Sequence, residues 1–253
     1  MLFEISLDGI KTSYEKKART TRDKGKSIIS LPQNFTLIDI ETTGLDPKFD
    51  DIIEIGAIKV VNNQPVNSMS TLVLPDSYEM EYELPIFIEN LTGITTNELR
   101  TNGSSTKSAI RQLLDFVGDD TLMGYNVSFD INFIYDTELN ILNQKFENNY
   151  IDIMRFSKKL LPDMKHYRVK DMLEIFNIES PQQHRALNDC RQELEIFNIL
   201  KNMITDQDDF IKSFTPCSRT HSTKLNAKDI HTSKTTFDDS NPFFNQYVAF
   251  TGG

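Results

Sequence analysis

Apolar runs alternate with polar turns along most of the chain, and the spacing of those runs predicts its elements. Residues 35–40 (FTLIDI), 52–61 (IIEIGAIKVV) and 66–74 (VNSMSTLVL) favour strands, the first two being rich in β-branched and aromatic residues. Asn62, Asn63, Gln64 and Pro65 predict a hairpin turn between the second and third, so the sheet opens as an antiparallel meander. Over 105–117 the apolar positions Ala109, Ile110, Leu113, Leu114, Phe116 and Val117 recur at helical spacing. Residues 121–126 (TLMGYN) read as a short strand and 128–142 as a helix, with further helices at 152–161, 168–176 and 185–204. Strands first, then alternating helix and strand, imply an α/β fold with a mixed sheet flanked by helices.

Residues 11–26 break the pattern. They hold seven basic and two acidic residues, a local charge of +5, and almost nothing apolar. They read as a solvated arm, or as an arm that neutralises phosphates. Periodicity fades again from Ser213 to Ser240, where Ser, Thr, Lys and Asp dominate, as in a linker. Residues 241–253 (NPFFNQYVAFTGG) then resume a strand-like pattern.

The net charge of −10 argues against a surface coated by nucleic acid, although a local basic lip would suffice for an enzyme acting on it. No apolar run is long enough to span a membrane, and MLFEISLDGIK lacks the features of a secretory signal. Cys190 and Cys217 suggest no disulfide framework, so a reducing, cytoplasmic setting is expected.

Within the first predicted strand, two acids interrupt the apolar run. Asp39 and Glu41 are two residues apart, so both point to one face of a core element, where each raises the pKa of the other. Bound cations make such a pair tolerable. Hard divalent ions need more oxygen ligands, and two further acids stand in suitable contexts: Asp130 at a helix start and Asp189 inside the last long helix. These four carry −4, matching two divalent cations that would clamp a displacement at phosphorus. His184 lies five residues before Asp189, about 140° away on a continuous helix. It can serve as a base only from a loop that folds over the site. Glu54 repeats the pattern of an acid in a strand and reads as a buried support.

Taken in order, IDIETTGLD, GYNVSFD and HRALNDC resemble the three motifs of the DEDDh exonucleases, the group that includes the proofreading epsilon subunit of bacterial DNA polymerase III. Asp39 and Glu41 match the first motif, Asp130 the second, and His184 with Asp189 the third. Residues 88–99 (IENLTGITTNEL) resemble the stretch beside the scissile nucleotide. The resemblance implies a ribonuclease-H-like fold with a five-stranded mixed sheet between helices, and two Mg²⁺ or Mn²⁺ ions. It further implies hydrolysis of terminal phosphodiesters from single-stranded 3′ ends, releasing nucleoside 5′-monophosphates in proofreading or repair. By position it assigns Thr42, Thr43, Leu45, Asn126 and Phe129 to the pocket for the 3′-terminal nucleotide, and it suggests a DNA polymerase or repair complex as partner. Residues 241–253 resemble the first strand of a BRCT domain. The expected organisation is therefore a basic extension over 1–33, the exonuclease domain over 34–206, a linker over 207–240 and the start of a truncated BRCT domain. DNA is the favoured substrate. RNA or short oligoribonucleotides are the alternative, since the motif residues do not read the 2′-hydroxyl. A non-catalytic nucleic-acid-binding module stands behind both.

Overall fold

A computed structural model of the chain describes residues 2–6, 9–13, 21–75, 83–179 and 184–214. Leu2–Ser6 (β1) and Gly9–Ser13 (β2) pair antiparallel as a separate hairpin. The main sheet begins with Phe35–Thr42 (β3), Ile52–Val61 (β4) and Gln64–Leu74 (β5), the expected antiparallel meander. Asn62 and Asn63 make the β4–β5 turn with φ of 51° and 62°. Two consecutive positive φ values define the type I′ hairpin, and Asn tolerates them better than most residues. Gln64 and Pro65, expected in the turn, instead begin β5.

Two short helices follow, Ile86–Thr92 (α1) and Thr96–Asn102 (α2), with Ser104–Ser105 (β6) and Thr106–Val117 (α3) behind them. Next come Leu122–Gly124 (β7), Ser128–Leu142 (α4), Tyr150–Asp152 (β8), Ile153–Leu160 (α5), Val169–Ile175 (α6), Ala186–Asn202 (α7) and Gln207–Lys212 (α8). The sheet order is β6-β5-β4-β3-β7-β8. β6 pairs parallel to β5, and β7 and β8 run parallel to β3. The sheet is mixed as expected, but it has six strands rather than five. Its sixth, β6, is two residues long, too short to leave a period in the sequence.

Alternation along β3 divides the interior. Ile38 and Ile40 join α3 and α4 in one apolar cluster; Phe35 and Leu37 join α5, α6 and α7 in another. Asp39 and Glu41 belong to the second face, so they emerge beneath α7.

Two expected boundaries shift. Residues 207–212, placed in the linker by composition, form α8. Its Phe210 packs edge-on to Phe156 (5.4 Å between centroids) and to Phe214 (5.2 Å). Two aromatic side chains outweigh a polar composition when both find a core to enter. Residues 21–26, expected in a solvated arm, dock instead. The Arg22 guanidinium forks onto Asp136 of α4 (Nε–Oδ1 2.7 Å), and Ile28 N–H donates to Tyr150 O (2.9 Å). Residues 215–240 of the expected linker and residues 241–253 lie outside the described residues. No helix among the described residues is long and apolar enough to cross a membrane.

Candidate active site

Three chain segments converge at the C-terminal end of β3. The strand itself supplies Asp39 and Glu41. The second segment is the first turn of α4, which carries Asp130. Ile40 N–H donates to Asp130 Oδ1 (3.2 Å), fastening that helix start to β3. The third is the start of α7, which carries Asp189 in its first turn, with His184 two residues before the helix. Carboxylates in the first turn of a helix sit at the positive end of its dipole, which offsets part of their crowding.

Ligand atoms of Glu41, His184 and Asp189 all lie within 4.8 Å of one another. Because α7 begins only at Ala186, His184 is free of the helical screw and reaches the face that Asp189 lines. Its backbone adopts φ of 45°, in the left-handed region that costs a non-glycine residue energy.

Glu54 secures this end of α7. It lies directly across from Glu41 on β4 and is 1% exposed. Like charges opposite each other repel. Arg185 offsets this: its Nη2 lies 3.0 Å from Glu54 Oε1 and its charge also pulls the Glu41 pKa down, while Ala186 N–H donates to Glu54 Oε2 (2.9 Å). Arg185 also lies within 4.0 Å of Glu98 on α2. One buried acid thereby ties β4 to the residues beside His184. Gly56 completes the fit, since a Cβ there would strike the backbone of Ala186 and Leu187.

The electrostatics are those of a crowded acidic pocket. Burial pushes the Asp130 carboxyl up to about 8 and, with Glu54, the Asp189 carboxyl up to about 7. Asp39 is driven well above the usual carboxylate range by burial and then by Glu193, Asp130, Glu41 and Asp189. Glu41 rises for the same reasons, burial first and then Asp189, against a lowering pull from Arg185. Burial lowers the His184 pKa, which keeps its imidazole neutral near pH 7. Asp189 Oδ1 is buried and has no hydrogen-bond partner among the described residues. An orphaned carboxylate oxygen beside two other donors, in a pocket short of positive charge, fits hard divalent cations.

The residues expected around the terminal nucleotide lie at the end of β3, on the loop that follows it and at the start of α4. Thr42 Oγ1 donates to Gly44 O (2.6 Å) and Thr43 Oγ1 accepts from Asp51 N–H (2.9 Å), so both hydroxyls brace the loop after β3. Leu45 is 48% exposed. Asn126 stands at the start of α4 with φ of 59°. Phe129 stacks at a tilt on Phe133 (4.9 Å between centroids), partly inside the core. Two further acids escaped the sequence reading. Glu193, four residues after Asp189 and on its face of α7, accepts from Tyr125 N–H (3.1 Å). Asp152 accepts from Asn126 N–H (2.9 Å). Glu193 had a legible signal in its i+4 spacing. Asp152 stood at the start of the helix expected over 152–161, where Asp favours a cap, but nothing local pointed to Asn126.

The sequence profile of the exonuclease family matches residues 36–197. This chain belongs to that family. It is 33% identical to the DNA polymerase III subunit epsilon of Aquifex aeolicus over 167 residues, 66% of this chain and 80% of the relative. It is 32% identical to the PolC-type DNA polymerase III of Caldanaerobacter subterraneus subsp. tengcongensis over 196 residues. That match covers 75% of this chain but only 13% of the much longer polymerase. In fold it is similar to Escherichia coli exonuclease I solved with a dA16 oligonucleotide, with a TM-score of 0.60 and 19% identity. The superposition covers 71% of this chain and 43% of that one.

Proposed function

We propose that this member of the exonuclease family is a divalent-metal-dependent 3′→5′ exonuclease that shortens single-stranded DNA and releases nucleoside 5′-monophosphates. The observation that carries the proposal is the meeting of Glu41, His184 and Asp189 within 4.8 Å at the end of the strand that bears Asp39. Asp39, Glu41, Asp130 and Asp189 would hold two Mg²⁺ or Mn²⁺ ions. Bound there, such ions would neutralise the acids and offset the charge that develops on the phosphate oxygens. His184, kept neutral by burial, accepts a proton from the attacking water. The pocket of Thr42, Thr43, Leu45, Asn126 and Phe129 receives the terminal nucleotide, with exposed Leu45 offering an apolar surface to the base. The polymerase names of the relatives support DNA as the substrate and a DNA polymerase or repair complex as partner, in the cytoplasm.

A gel of 5′-labelled single strands tests the proposal. DNA and RNA of one sequence are incubated with Mg²⁺, Mn²⁺ or EDTA, with Asp39→Ala beside the wild type. The expected result is a ladder shrinking from the 3′ end of DNA, absent with EDTA and in the variant. Faster loss of RNA would reassign the substrate. No ladder on either strand would sink the proposal.

A further inference from the structure

Directly after β7, two successive backbone amides are each held by a carboxylate from a distant element. Tyr125 N–H donates to Glu193 Oε2 of α7 (3.1 Å), and Asn126 N–H donates to Asp152 Oδ1 at the end of β8 (2.9 Å). The second carboxylate also accepts from Met154 N–H (3.0 Å), so it caps α5 with the same oxygen.

The chain needs holding at this point. Asn126 sits in the left-handed region, and Phe129 N–H donates back to Asn126 O (3.0 Å) as the backbone turns into α4. No side chain caps the start of α4 at Val127. Gly124 leaves no slack on the strand side, because a Cβ there would press on Val127 and on the Ile38 carbonyl. Tyr125 is pinned at its far end, its hydroxyl 3.3 Å from Ser157 Oγ of α5. Four residues after Asn126 comes Asp130.

The acid at 193 has an evident cost. It is 2% exposed and adds a fifth carboxylate to a pocket already crowded by four. Burial, then Asp130 and Asp189, drives its carboxyl well above the usual range, but charged or protonated it keeps an oxygen that accepts from Tyr125 N–H. Its place on α7 matters as well. Asp189 and Glu193 share one helix face, so the loop leading to Asp130 is fastened to the helix that bears Asp189.

We infer that Asp152 and Glu193 are paired positioning residues that clamp the Tyr125–Asn126 backbone and so set Asn126 and the Asp130 end of α4 against Asp189. The inference rests on the exonuclease reading for its kinetic consequence, but not for its structural one.

The test uses the full chain and two contrasts. Glu193→Gln and Asp152→Asn keep an oxygen that accepts the amide proton. Glu193→Met and Asp152→Ala remove it, the first with little loss of volume. Thermal unfolding and Mn²⁺ titration calorimetry check fold and metal affinity. Amide hydrogen exchange is followed at Tyr125 and Asn126, and kcat and KM are measured on labelled single-stranded DNA. We expect Glu193→Met and Asp152→Ala to speed exchange at the amide each has released. Their kcat should fall about 10- to 100-fold, the usual effect of losing a group that orients metal ligands. The amide variants should retain most of kcat and slow exchange. Unchanged exchange and kcat in Glu193→Met and Asp152→Ala would overturn the clamp. So would a Glu193→Gln protein that loses Mn²⁺ affinity as severely as Glu193→Met, since Glu193 would then be a cation ligand. A wild type without turnover defeats the exonuclease reading alone, because exchange still reports the clamp.

Discussion

At the residue scale, the pocket stores repulsion that a cation would relieve. Asp130 and Asp189 hold their protons up to about 8 and about 7, against an ordinary 3.8. A folded state that binds protons more tightly than the unfolded chain is favoured at low pH. The stability from these two groups is fully present below about pH 4 and is lost as pH rises through 7 and 8. In EDTA, the melting temperature of Asp130→Asn or Asp189→Asn should therefore decline less between pH 5 and 8 than that of the wild type. Mg²⁺ should raise the wild-type melting temperature most at the upper end of that range. A second expectation separates stability from activity. Asp189→Asn should melt higher than the wild type in EDTA at pH 8, yet lose at least about 100-fold in kcat, the scale of removing one preorganised electrostatic group. A variant that is both less stable and fully active would contradict both parts.

At the element scale, the critical contact is α7 on β4. Glu54 binds Arg185 and the Ala186 amide at once, and Gly56 lets the helix approach. Glu54→Ala should cost about 2–3 kcal/mol in urea unfolding, the scale for a hydrogen-bonded charge removed from a buried pair. The lower part of the usual range applies because the Arg185 side chain is 35% exposed and water can take it over. Activity should fall further than stability explains, since Arg185 follows His184. Gly56→Ala should destabilise by about 1–3 kcal/mol through overpacking, with α7 displaced from the sheet. A crystal structure of that variant with α7 in place and wild-type stability would show that the approach is looser than drawn.

At the scale of the whole molecule, the docked N-terminal segment closes an edge of the sheet. Residues 26–28 run beside β8, trading amide hydrogen bonds with Tyr150, while Arg22 locks onto Asp136. Bare edge strands invite pairing with other chains. Deleting residues 1–28 should lower the melting temperature and raise light scattering on standing. The same docking engages Arg22 with Asp136 and Lys24 with Asn132, which leaves fewer basic groups for phosphates than the count of seven suggests. An unchanged KM at low ionic strength after deletion of residues 11–20 would limit that arm to a structural part.

Much of the fold was written in local pattern. The three-strand meander, α3, α4 and α7 follow from spacing that any window of the chain displays, and Asp39, Glu41, Asp130, His184 and Asp189 stood out as acids and a histidine where apolar or capping residues were expected. The sequence could also say that His184 must sit in a loop to be of use. Other features were decided by contacts between distant segments. β6 and β8 are too short to carry a period and exist because a neighbour supplies their hydrogen bonds. α8 exists because Phe210 and Phe214 find Phe156. Residues 21–26 are ordered because Asp136 and Tyr150 wait for them, not because their composition favours order. The grip of Asp152 and Glu193 on two adjacent amides joins residues 26 and 68 positions apart. Local preference reports what a segment favours alone, and only the closed fold shows which buried polar group each amide must find.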